Sequence, residues 1–585
     1  MEKFITVFVL ILTVLLLLKG EYPTSYVFLF SVALLVVFGI LSPQEALSGF
    51  SNPQIAVIVL LLVISYVLYK TKAIEFILSK FLKENLSYKS FLFRLTVLTS
   101  FLSSFLNNTP VVASLIPYVH TWAKKRGMSP SKVLIPLSFS AILGGTITLI
   151  GTSTNLVVNA LYNSQTGKSL HLWDFTPLGL LATALGIIYM VLIGSKLLPK
   201  REEAVENLLF KSKEYLVETV VLPTSELIGK TVKEANLRNL KGLFLVEILR
   251  KDKTIAPVSP NEVIRAGDIL VFAGNTEAVG DLLNHFRGLV LPKMCRLPLE
   301  QTEIVEALIP PNSDLIGKKI KDTNFRARFD AAIVGIHRQG EKLKGKIGEQ
   351  VLKIGDLLLL IIGKDFYKKV SDSKDIYVLS KVGDFYNFSP QKGLIALIIF
   401  ISSILFTAFG FISLFKVLII DIFLFLALRL IQPQELKRNL ELNLIFTAAL
   451  SLALGKAVVV SGLAYDVANF IFKTFSLFGE WGNLMGLYLF TVFLTEFITN
   501  LGAVGIAFPI AVEISKITGI DLKALTLLVA YASSASFLSP IGYQTNLMVF
   551  SLGNYRFFDF IKVGFPLALI YAIVIILGIY LIYLK

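Results

Sequence analysis

Long runs of apolar residues occupy both ends of the chain, whereas its middle third is polar. Most runs are long enough to cross the hydrocarbon core of a bilayer, about 30 Å thick, as α-helices. The pattern predicts a polytopic α-helical membrane protein with two membrane blocks, residues 1–199 and 389–585, around a polar insert. The runs cover residues 4–19, 22–41, 52–69, 91–123, 132–163 and 174–198 in the first block, and residues 393–411, 413–431, 440–460, 484–517, 522–553 and 559–584 in the second.

Small polar residues interrupt two runs of the first block. The interruptions are Asn107–Pro110, within the run 91–123, and Gly151–Asn155, within the run 132–163. Backbone that leaves a helix at membrane depth is tolerated where it lines a cavity or is buried in protein. The interruptions therefore predict a polar site near the middle of the bilayer.

The second membrane block repeats these interruptions in the same order. Asn108 aligns with Asn500 at an offset of 392 residues, and Gly151–Asn155 aligns with Gly542–Asn546 at an offset of 391. Two matches in order at nearly equal spacing indicate an internal repeat. The alternative is that these polar residues only hold helices together, and four symmetric motifs favour a site over that alternative.

Basic residues at both ends of the run 91–123 predict that it turns back within the bilayer. Lys89 and Arg94 lie at its start and Lys124–Arg126 follow it, and such residues are enriched in cytoplasmic loops. With one hairpin and one broken crossing, each block crosses the membrane an odd number of times, so the second block is inverted relative to the first. The predicted re-entrant hairpins are residues 91–123 and 484–517, and the predicted broken helices are residues 132–163 and 522–553.

The distribution of charge predicts the orientation in the cell (inner) membrane. Six Lys or Arg lie from Lys70 to Arg94, against one in the loop 163–173. Because Lys and Arg are enriched in cytoplasmic loops, the polar insert is predicted to be cytoplasmic and both termini to lie outside.

The polar insert contains two tandem copies of one module. Ser225–Arg238 (SELIGKTVKEANLR) matches Ser313–Arg326 (SDLIGKKIKDTNFR) at an offset of 88 residues, and the Gly-Asp pair at 267–268 recurs at 355–356 with the same offset. The sequence of each copy predicts a small α+β module, in which a helix that begins at a Gly is followed by strands with alternating apolar residues.

These motifs resemble the TrkA-C (RCK-C) module, the C-terminal ligand-binding module of potassium-transport regulatory proteins. We place the copies at residues 212–293 and 300–372. The resemblance implies a regulatory sensor, for which a cyclic dinucleotide is one ligand option by resemblance only. The alternative is a packing or dimerisation domain without a ligand.

Composition narrows the function class. The 585 residues are 55% hydrophobic, with one Cys, four His and a net charge of +15. This Cys and His content argues against a disulfide framework and a His-built metal centre. In a membrane protein the positive charge reflects basic cytoplasmic loops, so no nucleic-acid partner is expected. Without a P-loop, a nucleophile elbow or a metal-ligand cluster, the sequence predicts no enzyme and no organic cofactor.

The predicted chemistry of the site is that of helix ends. Half-helix N-termini offer free N–H groups and the positive end of the helix dipole, which suit an oxyanion. Unwound carbonyls suit Na⁺. Since the interruptions contain no Arg or Lys, burial of an anion would depend on dipoles and on co-bound Na⁺, and this dependence is a physical reason for coupling.

The interruptions resemble motifs of the divalent anion/sodium symporter (DASS) family, which carries Ser-Asn-Thr at each hairpin tip and a Gly-Ser/Thr-Pro-Pro-Asn-like turn at each break. Here the tips read Asn107-Asn108-Thr109 and Thr499-Asn500-Leu501. The resemblance covers both membrane blocks and implies two Na⁺ sites, one anion site and a homodimer. The implied ligands are Ser103, Asn107, Asn108 and Gly151 for the first Na⁺, Thr495, Thr499, Asn500 and Gly542 for the second Na⁺, and Asn108, Thr109, Thr152, Asn500 and Gln544 for the anion.

Departures from the family pattern favour a small anion. Leu501 replaces the Thr of the second tip, Asn107 replaces the first Ser, and neither break has the Pro-Pro pair. With fewer hydroxyl groups, the resemblance implies Na⁺-coupled symport of a small divalent oxyanion, most of all sulfate, by alternating access of the elevator type. Open alternatives are a Na⁺/dicarboxylate symporter, an exchanger or a metalloid efflux permease of the same superfamily. A K⁺ transport protein gated by TrkA-C modules would need a TVGYG-like filter, which the sequence lacks.

Two isolated acidic residues, Glu496 and Asp421, lie away from the ends of predicted membrane segments. Glu496 follows Thr495 in the second hairpin and is a candidate coupling acid, either a proton carrier or a cation ligand. The alternative is a structural partner for a nearby amide or for Lys456. Asp421 is expected to find its partner on another helix or to snorkel towards the interface.

Overall fold

A computed structural model shows a mostly helical protein with a β-rich insert. Local signals set several helix starts. Asn52 accepts a hydrogen bond from the Gln54 backbone N–H at 2.9 Å, with Pro53 in the first turn. The structure describes residues 1–585 except 20–21, 72, 75–76, 78–80, 83–85, 200–214, 238–239, 241–242, 251–252, 256–257, 275–285, 287, 291–302, 311–312, 339–340, 343–346, 364, 372, 374, 379–389 and 439.

The first membrane block consists of helices joined by short turns. Its last helix continues through a π-helical segment, Met190–Gly194, into a short helix at Ser195–Leu197. The helices of this block are Glu2–Lys19, Thr24–Val37, Pro43–Leu47, Pro53–Lys70, Tyr88–Ser103, Asn108–Lys125, Leu134–Gly145, Ser153–Thr166 and Thr176–Tyr189, with 3₁₀ turns at Ser48–Ser51 and Pro130–Lys132.

The second membrane block carries helices in a similar order, with one, Leu463–Phe475, that has no counterpart among the helices given above. It ends in a π-helical segment, Tyr580–Leu584. Its helices are Pro390–Ala408, Leu414–Ala427, Pro433–Arg438, Leu442–Val460, Leu463–Phe475, Gly479–Phe497, Asn500–Thr518, Leu522–Ser534, Gln544–Leu552 and Phe557–Ile579, with a 3₁₀ turn at Ser476–Phe478.

Helices end at all four polar interruptions. The first tip lies between Ser103 and Asn108, and the second lies between Phe497 and Asn500. The break in the first block follows Gly145, and the break in the second follows Ser534. That these segments are re-entrant, and that the two blocks are inverted, stay predictions.

Within the described residues, seven helices are long and apolar enough to cross a membrane. This judgement rests on length and composition, and it fits a polytopic membrane protein. The seven are Pro53–Lys70, Thr176–Leu197, Gln391–Ala408, Leu442–Val460, Leu463–Phe497, Asn500–Thr518 and Phe557–Leu584.

The two membrane blocks interlock through the segments that follow the tips and breaks. Asn500–Thr518 packs against Ser153–Thr166, and Asn108–Lys125 packs against Gln544–Leu552. The helix after each tip therefore contacts the helix after the break of the other block. This exchange brings polar residues that are far apart in sequence into one place.

Each copy in the insert folds into a five-stranded antiparallel sheet. The strands are Tyr215–Val221 (β1), Leu243–Arg250 (β2), Lys253–Ile255 (β3), Ile269–Gly274 (β4), Leu289–Val290 (β5), Glu303–Leu308 (β6), Ala331–Arg338 (β7), Glu341–Lys342 (β8), Leu357–Ile362 (β9) and Tyr377–Val378 (β10). The first sheet has the order β3-β2-β4-β1-β5, and the second has the equivalent order β8-β7-β9-β6-β10. An irregularity falls between Leu245 and Glu247 in β2 and between Ile333 and Gly335 in β7.

The repeated Gly-Asp pair of the insert has a structural role. The buried Asp268 carboxylate accepts two hydrogen bonds from the Arg250 guanidinium, both at 2.8 Å, and these raise the pKa of Arg250. Asp356 and Arg338 form the same bidentate pair at 2.7 and 2.8 Å. Such planar pairs are among the stronger protein hydrogen bonds, so each anchors its aspartate-bearing turn to the sheet.

One expectation about secondary structure is wrong, and one helix was not predicted. The Gly-led segment after Ser313 is not a regular helix, since it forms turns and a 3₁₀ turn, Ile320–Asp322, before the short helix Phe325–Phe329. The helix Leu463–Phe475 was not expected, because its Asp466 and Lys473 interrupt the apolar run that marks a spanning segment.

Candidate functional site

The first hairpin tip is held by hydrogen bonds to its own turn and to the break. The Thr148 hydroxyl donates to the Ser104 carbonyl. The Asn107 side-chain oxygen accepts from the Thr109 N–H at 3.4 Å, at the start of Asn108–Lys125. A helix therefore begins at the tip, where its first N–H groups have no helical partner.

The Asn108 side chain lies in a cluster of oxygen atoms. In the orientation that satisfies both ends of its amide, Nδ2 donates to Ser103 Oγ at 2.6 Å and to the carbonyls of Ala141 and Gly151 at 3.2 and 3.3 Å. Its Oδ1 then accepts from the Tyr543 hydroxyl at 2.5 Å. Rotation of the amide would bring Oδ1 beside the other three oxygen atoms, which are ligands of the kind that Na⁺ prefers.

The break in the first block is stabilised by Asn155. Its Nδ2 donates to the carbonyls of Gly145 and Thr148 at 3.3 and 2.9 Å. Those carbonyls lie in or next to the unwound segment, where a buried carbonyl without a partner would be costly. Asn155 thus replaces helical hydrogen bonds that the break removes.

An asparagine also stabilises the break in the second block. Asn546 Nδ2 donates to the carbonyls of Ser536 and Ser539 at 2.8 and 3.1 Å. In both blocks the accepting residues precede the asparagine by 10 and 7 positions. Asn546 Oδ1 also accepts from Ser138 Oγ of the first block at 2.7 Å, whereas Asn155 Oδ1 has no hydrogen-bond partner.

A second cluster of oxygen atoms lies at the second tip. Thr495 Oγ1 is 2.9 Å from Asn500 Oδ1 and 2.6 Å from the Ser533 carbonyl. Ser536 Oγ is 3.5 Å from Asn500 Oδ1. The cluster corresponds to the one around Asn108, with a hydroxyl five positions before the tip asparagine in both.

Side chains of the second break reach the first tip. The Tyr543 hydroxyl, besides its contact with Asn108, lies 3.4 Å from Thr152 Oγ1. The Thr109 hydroxyl donates to Gln544 Oε1 at 3.1 Å. Three of the predicted anion ligands, Asn108, Thr109 and Thr152, therefore meet the second break directly.

The predicted Na⁺ ligands fall into two groups. Ser103, Asn108 and Gly151 surround the first cluster, and Thr495 and Asn500 belong to the second. The others lie beside these clusters. Asn107 caps a helix, as does Thr499, which accepts from the Gly502 N–H at 3.3 Å. Gly542 lies in the second break, next to Glu496.

Sequence reasoning missed Tyr543 and Ser536. It paired Asn155 with Asn546 in the repeat but assigned them no role, because the carbonyls that they bond are not marked in the sequence. Tyr543 carried no signal in the repeat, because its repeat equivalent is Thr152 and the two side chains have little in common.

Glu496 lies against the second break. Its Oε1 accepts from the Leu538 N–H at 3.0 Å, and its Oε2 has no hydrogen-bond partner. Lys456 is not its partner, since the Lys456 amine lies 3.8 Å from Glu45. The Oε2 atom faces the unwound backbone near Gly542. A Cβ added at Gly542 would lie 3.1 Å from this oxygen.

The other intramembrane acid, Asp421, has the cross-helix partner expected of it. Its Oδ1 accepts from the Ser403 hydroxyl at 2.5 Å, on the helix Pro390–Ala408. Ser31 and Thr13 form a corresponding contact in the first block, with hydroxyls 2.6 Å apart. We regard Asp421 as part of the helix packing.

Replacing Gly151 by alanine is expected to abolish transport while the protein still folds. An added Cβ would lie 2.6 Å from the Gly145 carbonyl and 2.9 Å from the Ser103 carbonyl, so the first break would have to shift. Uptake into proteoliposomes should fall at least about tenfold, as expected when site geometry moves by a fraction of an ångström. Gly194→Ala is the control for general tolerance, because an added Cβ there comes no closer than 3.2 Å to a neighbour, the flexible Met190 side chain, and wild-type uptake by Gly151→Ala would contradict the tight packing.

The insert contains a cavity of about 550 Å³ between its two copies. Glu218 of the first copy reaches it and accepts from the Ile347 N–H at 3.0 Å. Ala331, Ala332 and Gly348 line it, where the first copy has Leu243, Phe244 and Pro260 at the equivalent positions. The cavity is open on the second copy because these residues are small.

The cavity wall carries more positive than negative side chains. Lys321, Arg326 and Lys369 line it, against Glu218 and Asp330. Asp330 is engaged by the Asp365 N–H at 3.0 Å. Lys321 also donates to Glu349, which lies just outside the cavity wall, at 2.8 Å, and this hydrogen bond lowers the pKa of the Glu349 carboxyl. This lining suits a small ligand that carries negative charge.

No group of three or more His, Cys, Asp or Glu that could hold a metal ion occurs in the part of the chain that the structure describes. Oxygen atoms of amides, hydroxyls and carbonyls make up the clusters at the tips instead. Such neutral sets suit a monovalent cation better than a transition metal.

The chain is similar in sequence to a known family of transporters and to several named proteins. The citrate transporter (CitMHS) family model matches residues 8–514 and 473–585. The chain is 33% identical to an uncharacterized transporter of Synechocystis sp. over 99% of this chain and 97% of that protein. It is 32% identical to a Chlamydomonas reinhardtii protein, provisionally named sulfur deprivation response regulator, over 95% of this chain and 98% of that protein. It is 30% identical to sodium/sulfate cotransporter 2 of C. reinhardtii over 57% of this chain and 40% of that protein.

Proposed function

Because the chain belongs to the citrate transporter (CitMHS) family, and is therefore a membrane transporter rather than an enzyme, we propose that it is a Na⁺-coupled symporter of a small divalent oxyanion, most of all sulfate. The observation that carries this proposal is the cluster of oxygen atoms around Asn108. It lies beside the start of a helix, so a cation site and an anion-attracting helix end adjoin each other.

The first Na⁺ would bind among Ser103 Oγ, Asn108 Oδ1 and the Gly151 carbonyl. The second would bind among Thr495 Oγ1 and Asn500 Oδ1, with the backbone near Gly542. Each site combines side-chain oxygens with carbonyls freed by a helix break, as broken helices in transporters do. At the first site, rotation of the Asn108 amide brings Oδ1 beside Ser103 Oγ; at the second, Thr495 Oγ1 and Asn500 Oδ1 are already 2.9 Å apart, so neither site needs a large rearrangement to bind Na⁺.

The anion would bind between the tips and the breaks. Donors there are the hydroxyls of Thr109 and Thr152, the amides of Asn108 and Asn500, and Gln544. The N–H groups at the starts of the helices after the tips add positive potential. The two Na⁺ ions would supply the remaining positive charge, so the anion binds well only when they are present.

The choice of sulfate rests on the named relatives and on the residues of the site. One relative is named a sodium/sulfate cotransporter, and another takes its name from sulfur deprivation. The second tip carries Leu501 where the first carries Thr109, so it offers no hydroxyl for a second carboxylate. These features favour a compact tetrahedral anion over citrate or another longer carboxylate.

Alternating access would move the interlocked tips and breaks as one unit. This elevator-type motion, and the inverted orientation of the two blocks, are supported by the exchange of contacts between blocks. Where Leu442–Val460 meets Asn500–Thr518, a Cβ at Gly505 would lie 2.6 Å from the Ser451 carbonyl. Small residues at that contact let the two helix backbones approach closely, which supports the movement of these helices together.

Uptake into proteoliposomes tests the proposal. We expect sulfate uptake that depends on an inward Na⁺ gradient and that K⁺ cannot support. Succinate, citrate and arsenite serve as competing solutes. Na⁺-driven uptake of a dicarboxylate or citrate without sulfate would favour the carboxylate alternative. Uptake driven by a counter-anion would favour an exchanger, and K⁺ flux alone would favour a K⁺ transport protein.

Glu496 would act as a coupling acid at the second Na⁺ site. Its free carboxylate oxygen would attract a cation bound near Gly542, and a neutral amide would not. Glu496→Gln is therefore expected to raise the Na⁺ concentration for half-maximal uptake about tenfold or more. Glu480→Gln, at the exposed start of the same helix, is the matched control. Unchanged Na⁺ and pH dependence in Glu496→Gln would remove this role.

The insert would act as a cytoplasmic regulatory domain that binds a small anion in its cavity. Ala332→Phe introduces the phenylalanine that the first copy has at the equivalent position, 244. The larger side chain would fill the cavity, so the substitution is expected to abolish binding. A ligand at a hundredfold excess over its Kd stabilises a protein by about 2.7 kcal/mol. Thermal unfolding with a panel of mononucleotides and cyclic dinucleotides should thus show a shift in the wild type that the variant lacks. An equal shift in both proteins would place the ligand elsewhere.

A further inference from the structure

Tyr543 occupies the position in the second break that Thr152 occupies in the first. Both residues directly precede the helix that follows the break. The Thr152 side chain is short and caps its own helix, accepting from the Thr154 N–H at 3.5 Å. The Tyr543 side chain instead crosses between the blocks to the first tip, where its hydroxyl meets Asn108 and Thr152. The internal repeat is therefore asymmetric at the place where its halves meet.

The phenol ring of Tyr543 fills space between the two blocks. Its side chain is buried, as are those of Asn108 and Thr152. An anion that touched both Asn108 and Thr152 would share this space with the Tyr543 hydroxyl. A ligand with two or three carboxylates spread along a carbon chain needs more room there than a single tetrahedral oxyanion does.

The other end of the site is also restricted. Leu501, the repeat equivalent of Thr109, is buried and has no hydroxyl to donate. The Tyr543 O–H supplies a donor near the first tip in its place. At the first tip, the site thus gains a donor from Tyr543 and has less room for a long ligand. At the second tip, where Leu501 lies, the site is apolar.

From this asymmetry we propose that Tyr543 determines which anion the transporter accepts. Its ring excludes extended carboxylates, and its O–H donates to a single compact oxyanion held at Asn108 and Thr152. The inference rests on the proposed function, which it deepens by assigning anion size to one side chain. The principle is general, because a site that hydrogen-bonds its substrate discriminates strongly against substrates that leave buried polar groups unpaired.

Two substitutions separate the roles of ring and hydroxyl. Tyr543→Thr restores the repeat equivalent and opens the space, and Tyr543→Phe keeps the ring but removes the donor. Tyr189→Phe is the matched control, since the buried Tyr189 hydroxyl also bridges the blocks, donating to the Val563 carbonyl at 2.7 Å, but does not touch the site residues named above. Each variant is checked for folding by thermal unfolding in detergent.

Na⁺-driven sulfate uptake with succinate or citrate as competitor gives the result. In the wild type we expect sulfate uptake that a hundredfold excess of either carboxylate barely inhibits. Tyr543→Thr should become inhibited by succinate, with at least about a tenfold shift in the concentration for half inhibition. Tyr543→Phe should keep the wild-type inhibition pattern and raise the KM for sulfate about tenfold. Tyr189→Phe should behave as the wild type in both respects.

The outcomes separate this inference from the proposed function. Na⁺-driven sulfate uptake with a wild-type succinate response in Tyr543→Thr would overturn the inference and leave the symporter standing. If Tyr543→Thr does not fold, an unchanged sulfate KM in Tyr543→Phe overturns the donor role. A wild-type protein that takes up succinate or citrate but no sulfate overturns both.

Discussion

Asn108→Ala is expected to reduce Na⁺-driven uptake at least about a hundredfold while leaving the protein folded. The side chain lies within reach of Ser103 Oγ, two carbonyls and the Tyr543 hydroxyl, so it belongs to the proposed cation and anion sites at once. Removal of one buried, charge-stabilising group in a preorganised site costs about 10²–10³ in rate in well-studied cases. Uptake is measured in proteoliposomes across a range of Na⁺ concentrations.

Asn500→Ala is expected to have an effect of similar size, because Asn500 holds the corresponding place beside Thr495. Asn163→Ala is the control. That side chain bonds Ser169 at 3.1 Å at the far end of its helix, so uptake should stay normal. Wild-type uptake by both Asn108→Ala and Asn500→Ala would refute the proposed site.

Asn546→Ala is expected to give a large loss of stability at the second break. The substitution leaves the carbonyls of Ser536 and Ser539 without their side-chain donor and removes the bond from Ser138. Each buried polar group left without a partner costs about 1–3 kcal/mol, so we expect a loss of about 3 kcal/mol or more. Thermal unfolding in detergent measures the effect as a lower midpoint.

Asn155→Ala provides a graded comparison with Asn546→Ala. It also removes the donor to two carbonyls, but Asn155 Oδ1 has no partner to lose. The first block should therefore be destabilised less than the second, by about 1 kcal/mol for the missing hydrogen bond. Equal or reversed effects would show that the two breaks are not stabilised in the way the hydrogen bonds indicate.

The arrangement of helices could be read from the sequence to within a few residues. The expected hairpin 91–123 corresponds to Tyr88–Ser103 and Asn108–Lys125, and the tip falls at the Asn-Asn pair. The helix positions could be predicted because they depend on local effects. Apolar side chains favour lipid, and helices end at small polar residues. The amphipathic helix Leu463–Phe475 escaped notice for the same reason, since its apolar residues are not continuous.

The candidate site was predictable only in part. The tip asparagines were found because they repeat, and their hydroxyl partners Ser103 and Thr495 came with the family resemblance. The carbonyls of Ala141 and Ser533 were not found, because every residue has a carbonyl and the sequence does not mark which ones approach a given side chain. In the insert, the Arg250–Asp268 pair escaped notice because its partners lie on different segments.

By itself the sequence determined the two membrane blocks, the paired modules between them, and the positions where helices would stop. Only the tertiary structure decided that the helix after each tip packs beside the helix after the other block's break, and that Tyr543 reaches Asn108 across 435 positions. The reason is physical. Hydrophobicity and helix ends depend on neighbours in the chain, whereas a site depends on which distant backbones pack closely enough for their polar atoms to meet.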